Sequence, residues 1–435
     1  MLMSAHFGGG RPDSLGYIDS EQRPARCHWQ NANQEWRCDL VLQAIDDAWT
    51  TQVDEAGFDP PMPDDDGLLD IYITSEGTKG GAYTLGPYED EDLSDGKMGC
   101  HAFIAISPNI TDMKFPTYIA HEFQHVVQFA TDFTEPTSLI WEATATAAEA
   151  WTYPDIGYDP TYVWDFQAYP WAGLLADGYM LMGTVGTWTY YEYGAAPWVT
   201  HLDAVYGDKA GSGAAQLWSA LINDNWNNEP DFLDAYDALT GDWRTALIDF
   251  SAQRAKLGTD YAPSWLYNTH ESIAIWVDQE IDFDVVPTNL EPTTAPFQTG
   301  VTYYRITDIP DDTSLQMSVT SDDDVLWGLV ALSLDSDPVW GIDEPITHTP
   351  TNSETIVGVI NLGEEDFDAD DYPDGSDFVL SVEVAVAIED DVTTENSCGG
   401  CSTHNRPHDL LWLYLPMLWV FMRRDQVIKT VVADR

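Results

Sequence analysis

Apolar and polar positions recur with two different periods along the chain, and the change falls near residue 263. Before it, apolar residues follow the three- and four-residue spacing of amphipathic helices, with a few short strands between them. After it, short runs of β-branched and aromatic residues alternate with acidic and Pro-containing turns. The pattern therefore predicts an α+β region over 1–262 and an all-β sandwich over 263–392.

The first region begins with a polar segment, residues 1–40, for which we predict no regular structure. The elements predicted after it are a helix over 39–57, strands over 68–74, 82–85 and 101–107, and helices over 116–130 and 139–151. Residues 161–256 are dense in Trp and Tyr with helical patches, which indicates a mostly α-helical lobe.

In the second region, the predicted strands cover 272–277, 303–306, 315–319, 326–332, 356–360 and 378–384. The acidic loop 366–375 is a candidate Ca²⁺ site, although it lacks the ligand spacing of an EF-hand. A solvated turn is the alternative for that loop.

Composition narrows the class of protein. The chain has 435 residues, of which 44% are hydrophobic and 12% aromatic, enough for two or three folded domains. With 17 Lys+Arg against 74 Asp+Glu, its formal net charge is -57. A field of that sign repels nucleic acid and anionic membranes, so we predict neither as a partner. The same surface is found in proteins that work at high salt, and solubility alone is the other explanation.

Five cysteines are present. Cys27 and Cys38 flank a short Trp-containing segment, and we expect them to close a small disulfide loop, with Cys100 then left over. The remaining pair, Cys398 and Cys401, is followed by His404 and His408, and a Cys2His2 zinc site is one hypothesis for this segment.

One short motif carries the chemistry. His121-Glu122-Phe123-Gln124-His125 reads H-E-x-x-H within the helix predicted over 116–130. Residues at i and i+4 share a helix face, so both imidazoles point the same way, and Glu122 is placed to act as general base on a zinc-activated water. Zinc requires a third protein ligand. Metzincin spacing would place a His six residues after His125, but that position holds Thr131.

Together with the stretch Trp141-Glu142-Ala143-Thr144-Ala145, this motif resembles the gluzincin superfamily of zinc peptidases. The similarity extends over about residues 68–205, and it is most like secreted metalloproteases of myxobacterial-type bacteria. It implies a zincin-like domain, built from a small sheet, an active-site helix and a mostly α lobe, with Glu142 as third zinc ligand. Glu149 lies seven residues later on the same helix face and is the rival ligand; otherwise it would orient a ligand imidazole.

The resemblance implies an endopeptidase that acts on peptide or protein substrates. Tyr193 and His201 are candidates for stabilising the oxyanion. Two other functions stay open: a catalytically inactive cell-surface binding protein, and a zinc hydrolase of a non-peptide bond. An edge strand for an extended substrate, for which we consider 101–107, would favour the peptidase.

The C-terminal segment 393–435 contains Cys398 and Cys401, then an apolar run over 410–422, then Arg423-Arg424. This order resembles the sorting tails of myxobacterial-type secreted proteins. It implies export, membrane-associated processing near the cysteines, and a secreted or cell-surface product. Because the N-terminus lacks the pattern of a signal peptide, we expect the true start to lie upstream.

Overall fold

A five-stranded mixed sheet backs the helix that carries the H-E-x-x-H motif. Its strands are β1 (Gly16–Asp19), β2 (Ala25–Trp29), β3 (Leu69–Ile73), β4 (Ala82–Leu85) and β5 (Phe103–Ile106), in the order β1-β2-β3-β5-β4. The three central strands are parallel, whereas β1 and β4 run antiparallel at the two edges. The edge strand beside the motif is therefore β4; the range 101–107 corresponds to β5, an inner strand, so our edge-strand assignment was wrong.

The computed structural model describes residues 10–86, 97–223, 229–264, 273–365, 367–369 and 373–385. All of them belong to one unit, Met1–Val386. Within these ranges, no helix has the length and apolar character needed to cross a membrane. The predicted tail 393–435, with its cysteine pair and following histidines, lies outside the described residues and stays a prediction.

The prediction that residues 1–40 are irregular was wrong in part, because β1 and β2 fall within it. Both strands are short and polar, so no apolar run marks them. The charge on β2 is matched by pairing: Arg26 forms ion pairs with Asp19 of β1 and with Asp66. The predicted disulfide between Cys27 and Cys38 is confirmed, and Cys100 is buried.

Ten helices lie within the described residues. Their bounds are α1 (Arg37–Ala48), α2 (Phe115–Thr131), α3 (Ser138–Thr152), α4 (Thr161–Ala168), α5 (Gly178–Val185), α6 (Tyr191–Gly194), α7 (Ala196–Val205), α8 (Ser212–Ala220), α9 (Phe232–Thr240) and α10 (Trp243–Ala255). Of these, α1 and α2 pack on the five-stranded sheet, α3 packs on α2, and α10 packs on the C-terminal strands. Helix α1 continues as a π-helical stretch, Trp49–Ala56, that ends at Gly57 in the left-handed region. Pro116 lies in the first turn of α2, where its missing N–H is tolerated. Almost every residue of α2 is buried, because α1, α3 and the sheet all contact it.

Two mainly antiparallel sheets form the C-terminal part. Their strands are β6 (Gln279–Asp282), β7 (Thr288–Leu290), β8 (Val301–Thr307), β9 (Leu315–Thr320), β10 (Trp327–Leu332), β11 (Val339–Ile342), β12 (Ile346–His348), β13 (Thr355–Asn361) and β14 (Val379–Val384). One sheet has the order β11-β10-β13-β8-β6, with a parallel β6–β8 pair at its edge, and the other has β12-β9-β14-β7. Apolar side chains from both sheets form a shared cluster, as in a sandwich.

The sheet that contains β10 and β13 is buried on both faces. One face joins the cluster between the sheets, and the other packs against α10, where Gly328 leaves room for the side chain of Ile248. This explains why β10 and β13 are continuous apolar runs rather than alternating ones. The structure thus confirms a mixed α+β chain with a β-rich C-terminal region.

The predicted strand over 272–277 was wrong for 273–277, the part within the described residues. The backbone there bonds to α4 instead of a sheet: Trp276 donates to the carbonyl of Gln167, and the Gln167 amide donates to the carbonyl of Ile273. Ile273 and Ile275 are buried in the core that the helices form. Their apolar character reflects packing on helices, which periodicity cannot distinguish from a short buried strand.

The cross-link between β2 and α1 gives a stability prediction. Replacing both Cys27 and Cys38 by Ser should lower the free energy of unfolding by about 3 kcal/mol, because the unfolded chain regains the entropy of the open loop. Urea unfolding followed by Trp fluorescence measures the difference. A reductant should destabilise the wild type and leave the double variant unchanged; equal stability of the two proteins in oxidising buffer would contradict the prediction.

Candidate metal centre

Three buried side chains from two helices converge on one point. The Nε2 atoms of His121 and His125, one turn apart on α2, lie 3.2 Å from each other. The Oε2 atom of Glu142 on α3 is 3.2 Å from the first Nε2 and 3.6 Å from the second. All three residues are buried, and together they form a group that could hold a metal ion. The structure therefore brings together the three ligands proposed from the sequence.

The other nitrogen of each imidazole is already committed. Nδ1 of His121 lies 3.0 Å from Oε1 of Glu149, and Nδ1 of His125 lies 2.7 Å from Oε1 of Gln128. With these oxygens as acceptors, each Nδ1 carries a hydrogen, so that in the neutral form of each ring the lone pair lies on Nε2 and faces Glu142. Glu149 thus contacts the far side of the His121 imidazole, whereas Glu142 faces the point of convergence.

Three electron-pair donors that face one another are stabilised by a positive charge between them, carried by a proton or a metal ion. In tetrahedral zinc sites with N and O ligands at about 2.0–2.1 Å, neighbouring ligand atoms are about 3.3 Å apart. The separations between His121, His125 and Glu142 are close to that value. Two imidazoles and one carboxylate are also a donor set that zinc accepts. The residues present therefore fit a metal ion.

Helix α3 packs against α2 and also contacts α6 and α7. Ala143, Ala145, Ala147 and Ala148 are fully buried, and such residues allow two helices to pack closely. Trp141 then fixes the first turns of α3, because its Nε1 donates to the carbonyl of Glu135 at 3.0 Å. This packing places the carboxylate of Glu142 opposite the two imidazoles.

The charges at the site favour a positive ion. Burial alone would lower the pKa of His121, but its hydrogen bonds to Glu142 and Glu149 and their charges outweigh burial and raise that pKa. Burial would raise the pKa of Glu142, yet contacts with both histidines hold it well below the usual range. A positive charge is therefore stabilised where the three atoms converge, whether a proton or a metal ion carries it.

Glu122 lies beside the three converging side chains and contacts Thr84 of the edge strand β4. Thr84 Oγ1 lies 2.8 Å from Glu122 Oε2 and 3.0 Å from the Glu122 main-chain oxygen. Burial raises the pKa of this carboxyl group, while the charges of His121 and His125 and the hydroxyl of Thr84 lower it. A carboxylate with a raised pKa is suited to accept and release a proton near neutral pH.

A cleft of ≈ 730 Å³ opens onto the site. One part of its lining is β4 with the preceding Gly-rich turn, residues 79–83, and another part is rich in tyrosines. These tyrosines are Tyr118, Tyr158, Tyr162, Tyr190 and Tyr193. Glu122 lines the cleft together with the three converging side chains, so the candidate metal centre is open to a bound molecule.

Of the two proposed oxyanion residues, the structure brings only Tyr193 to the site. Its ring stacks on His121, with centroids 5.7 Å apart. Burial, the charge of Glu142 and a hydrogen bond to that carboxylate raise the pKa of Tyr193 well above its usual value, so the phenol stays a donor. His201 instead lies on α7 against Phe250 and does not line the cleft.

Two residues of the site escaped sequence analysis. Gln128 follows His125 by three positions on a predicted helix, and this spacing alone places the two side chains next to each other. Thr84 gave no such signal, because its contact with Glu122 depends on the pairing of β4 with β5. The calcium loop 366–375 is described only in part, since residues 366 and 370–372 lie outside the described ranges. Calcium binding stays a prediction.

Comparison with known proteins identifies no family for this chain. No family model matches the chain, and no curated protein matches it. Among solved structures, PliG, a periplasmic inhibitor of g-type lysozyme from Aeromonas hydrophila, is similar over 25% of this chain and 97% of its own, with 8% identity and a TM-score of 0.20. The family GH115 4-O-methyl-α-glucuronidase BtGH115A is similar over 76% of this chain and 54% of its own, with 10% identity and a TM-score of 0.14. Neither likeness is close enough to bear on fold or function.

Proposed function

We propose that this protein is an exported, zinc-dependent endopeptidase of the gluzincin type, with a zincin-like catalytic region. The observation that carries the proposal is the convergence of His121, His125 and Glu142 beside Glu122 in an open cleft. Two imidazoles and a carboxylate suit zinc, and the carboxylate next to the first imidazole suits a general base.

The roles of the residues follow from their contacts. Zinc held by the three ligands would lower the pKa of a water molecule toward neutrality and polarise the scissile carbonyl. Because Oε2 of Glu122 accepts from Thr84, Oε1 is left to take the proton of the attacking water and to pass it to the leaving amine nitrogen. Tyr193 lines the same cleft, and its phenol would donate to the oxygen of the scissile carbonyl as negative charge develops there.

The edge strand supports a peptide substrate over a non-peptide one. Among the described residues, strand β4 pairs on one side only, with β5, and residues 82 and 83 line the cleft. An extended peptide can add to such an edge through main-chain hydrogen bonds, which places its backbone beside Glu122. Glu122 supports an active enzyme over a binding protein, because the proposed general base and its hydrogen-bond partner Thr84 are both present.

Export is supported by the disulfide between Cys27 and Cys38, because such bonds persist mainly in oxidising compartments. The net charge of -57 would keep an exported protein soluble and away from anionic membranes and nucleic acid. A secreted or cell-surface location therefore remains part of the proposal.

The first test is metal content and proteolysis. Purified wild type should carry about one zinc per chain and cleave casein. Glu122→Gln should keep the zinc and lose activity by about 10²–10⁴-fold, because only the proton acceptor changes. Elemental analysis and a fluorescent casein assay measure both quantities. A zinc-loaded wild type that cleaves no peptide, with Glu122→Gln indistinguishable from it, would refute the peptidase.

The second test separates the two glutamates of α3. Glu142→Ala should abolish stable zinc binding, since it removes a ligand. Glu149→Ala should weaken zinc binding by only about 10–100-fold, since it removes the acceptor for His121 Nδ1. Competition against a chromophoric chelator measures both affinities. The reverse order would make Glu149 the ligand.

The third test concerns substrate preference. Ile156 and Met113 line the cleft, and 40% and 70% of their respective surfaces are exposed. We expect these residues to favour substrates with a large apolar side chain, so Ile156→Asp should lower kcat/KM about tenfold for a peptide with Phe near the cleaved bond and little for one with Ala. Leu15→Asp is the matched control, because Leu15 is exposed but does not line the cleft. An equal loss for both peptides would argue against an apolar subsite.

A further inference from the structure

Gln128 is buried on α2, one turn beyond His125, and its amide makes two hydrogen bonds. Oε1 lies 2.7 Å from Nδ1 of His125. Nε2 donates to the main-chain carbonyl of Trp141 at 3.1 Å. The side chain therefore connects one proposed ligand with the residue that directly precedes another, Glu142.

These two contacts fix the orientation of the amide. The carbonyl of Trp141 can only accept a hydrogen bond, so the NH₂ group of Gln128 must face it. The amide oxygen is then turned to His125, whose Nδ1 must carry the hydrogen. As a result, the neutral imidazole has its lone pair on Nε2, the atom that faces His121 and Glu142.

Trp141, at one end of this connection, is held by a hydrogen bond and by ring packing. Its indole donates to the carbonyl of Glu135, and its ring packs against Phe129 and Trp218 at centroid distances of 5.2 and 5.0 Å. The Trp141 ring also lies 6.3 Å from the ring of His125. Holding the Trp141 carbonyl thus holds the helical turn that carries Glu142.

We propose that Gln128 is a positioning residue for the metal centre, and this inference rests on the zinc site of the proposed function. Gln128 selects the tautomer of His125 and couples that imidazole to the turn of α3 that presents Glu142. Glu149 performs the first of these tasks for His121, but with a carboxylate. A neutral amide donates as well as accepts, so Gln128 can do both.

The chain offers a matched control in Gln124. It is fully buried on the same helix, and neither of its amide atoms has a hydrogen-bond partner among the described residues. Gln124→Met and Gln128→Met make the same chemical change one turn apart, but only the second removes contacts to the metal centre.

Zinc affinity of the full-length variants, measured by chelator competition, is the primary readout. Gln128→Met should bind zinc about 10–100-fold more weakly than wild type, and Gln124→Met should stay within about threefold. The visible spectrum of the Co²⁺-loaded protein should change for Gln128→Met alone, because the spectrum reports ligand geometry. Equal affinities for wild type and Gln128→Met, or equal losses for the two variants, would overturn the inference.

Gln128→Glu separates positioning from folding and serves if Gln128→Met does not fold. Its carboxylate still accepts from His125 Nδ1 but cannot donate to Trp141, so it should bind zinc more tightly than Gln128→Met and more weakly than wild type. Where only Gln128→Glu folds, affinity equal to wild type would overturn the coupling to Trp141. A wild type that binds zinc but cleaves no peptide would refute the proposed peptidase function without contradicting the positioning role of Gln128. A wild type that is proteolytic, with Gln128→Met and Gln128→Glu unchanged in zinc affinity, would support the peptidase function and refute the positioning role of Gln128.

Discussion

The site depends on three electron-pair donors that face one another in a buried space. Two imidazole nitrogens and a carboxylate oxygen at these separations cannot satisfy each other when both rings are neutral, because none of the three carries a hydrogen. Leaving such groups buried and unmatched is costly, so a cation at that point is the simplest way to stabilise them. Glu149 and Gln128 maintain this arrangement, since each keeps the hydrogen of its imidazole on the far side of the ring.

The part of the site that was predicted is the part that is local. His121, Glu122 and His125 follow from five consecutive residues and the geometry of one helix. Glu142 required a resemblance, because nothing in the spacing of two helices indicates which carboxylate faces the other helix. The structure distinguishes Glu142 from Glu149 by the imidazole atom that each contacts: one faces Nε2 and the other faces Nδ1.

The predictions that were wrong concern segments whose structure depends on contacts with distant parts of the chain. Strand β2 contains Arg26 and His28 and looks polar, yet it is an inner strand because β1 and β3 pair with it on either side. The segment 273–277 is apolar, yet it forms no strand because its backbone bonds to α4. In contrast, β10 and β13 were found readily, since burial on both faces requires continuous apolar sequence. Local pattern therefore predicts an element best when one environment covers its whole length.

The convergence of His125 and Glu142 also has a consequence for chain topology. The two residues belong to consecutive helices, α2 and α3, joined by a short loop. An ion bound to both residues would close that loop into a ring, as a disulfide does. If the ion stayed bound in the unfolded state, it would reduce the conformational freedom of the unfolded chain. Bound only in the folded state, it stabilises the helix pair by mass action instead. In either case, a bound ion would stabilise the packing of α2 against α3 in addition to any chemical role.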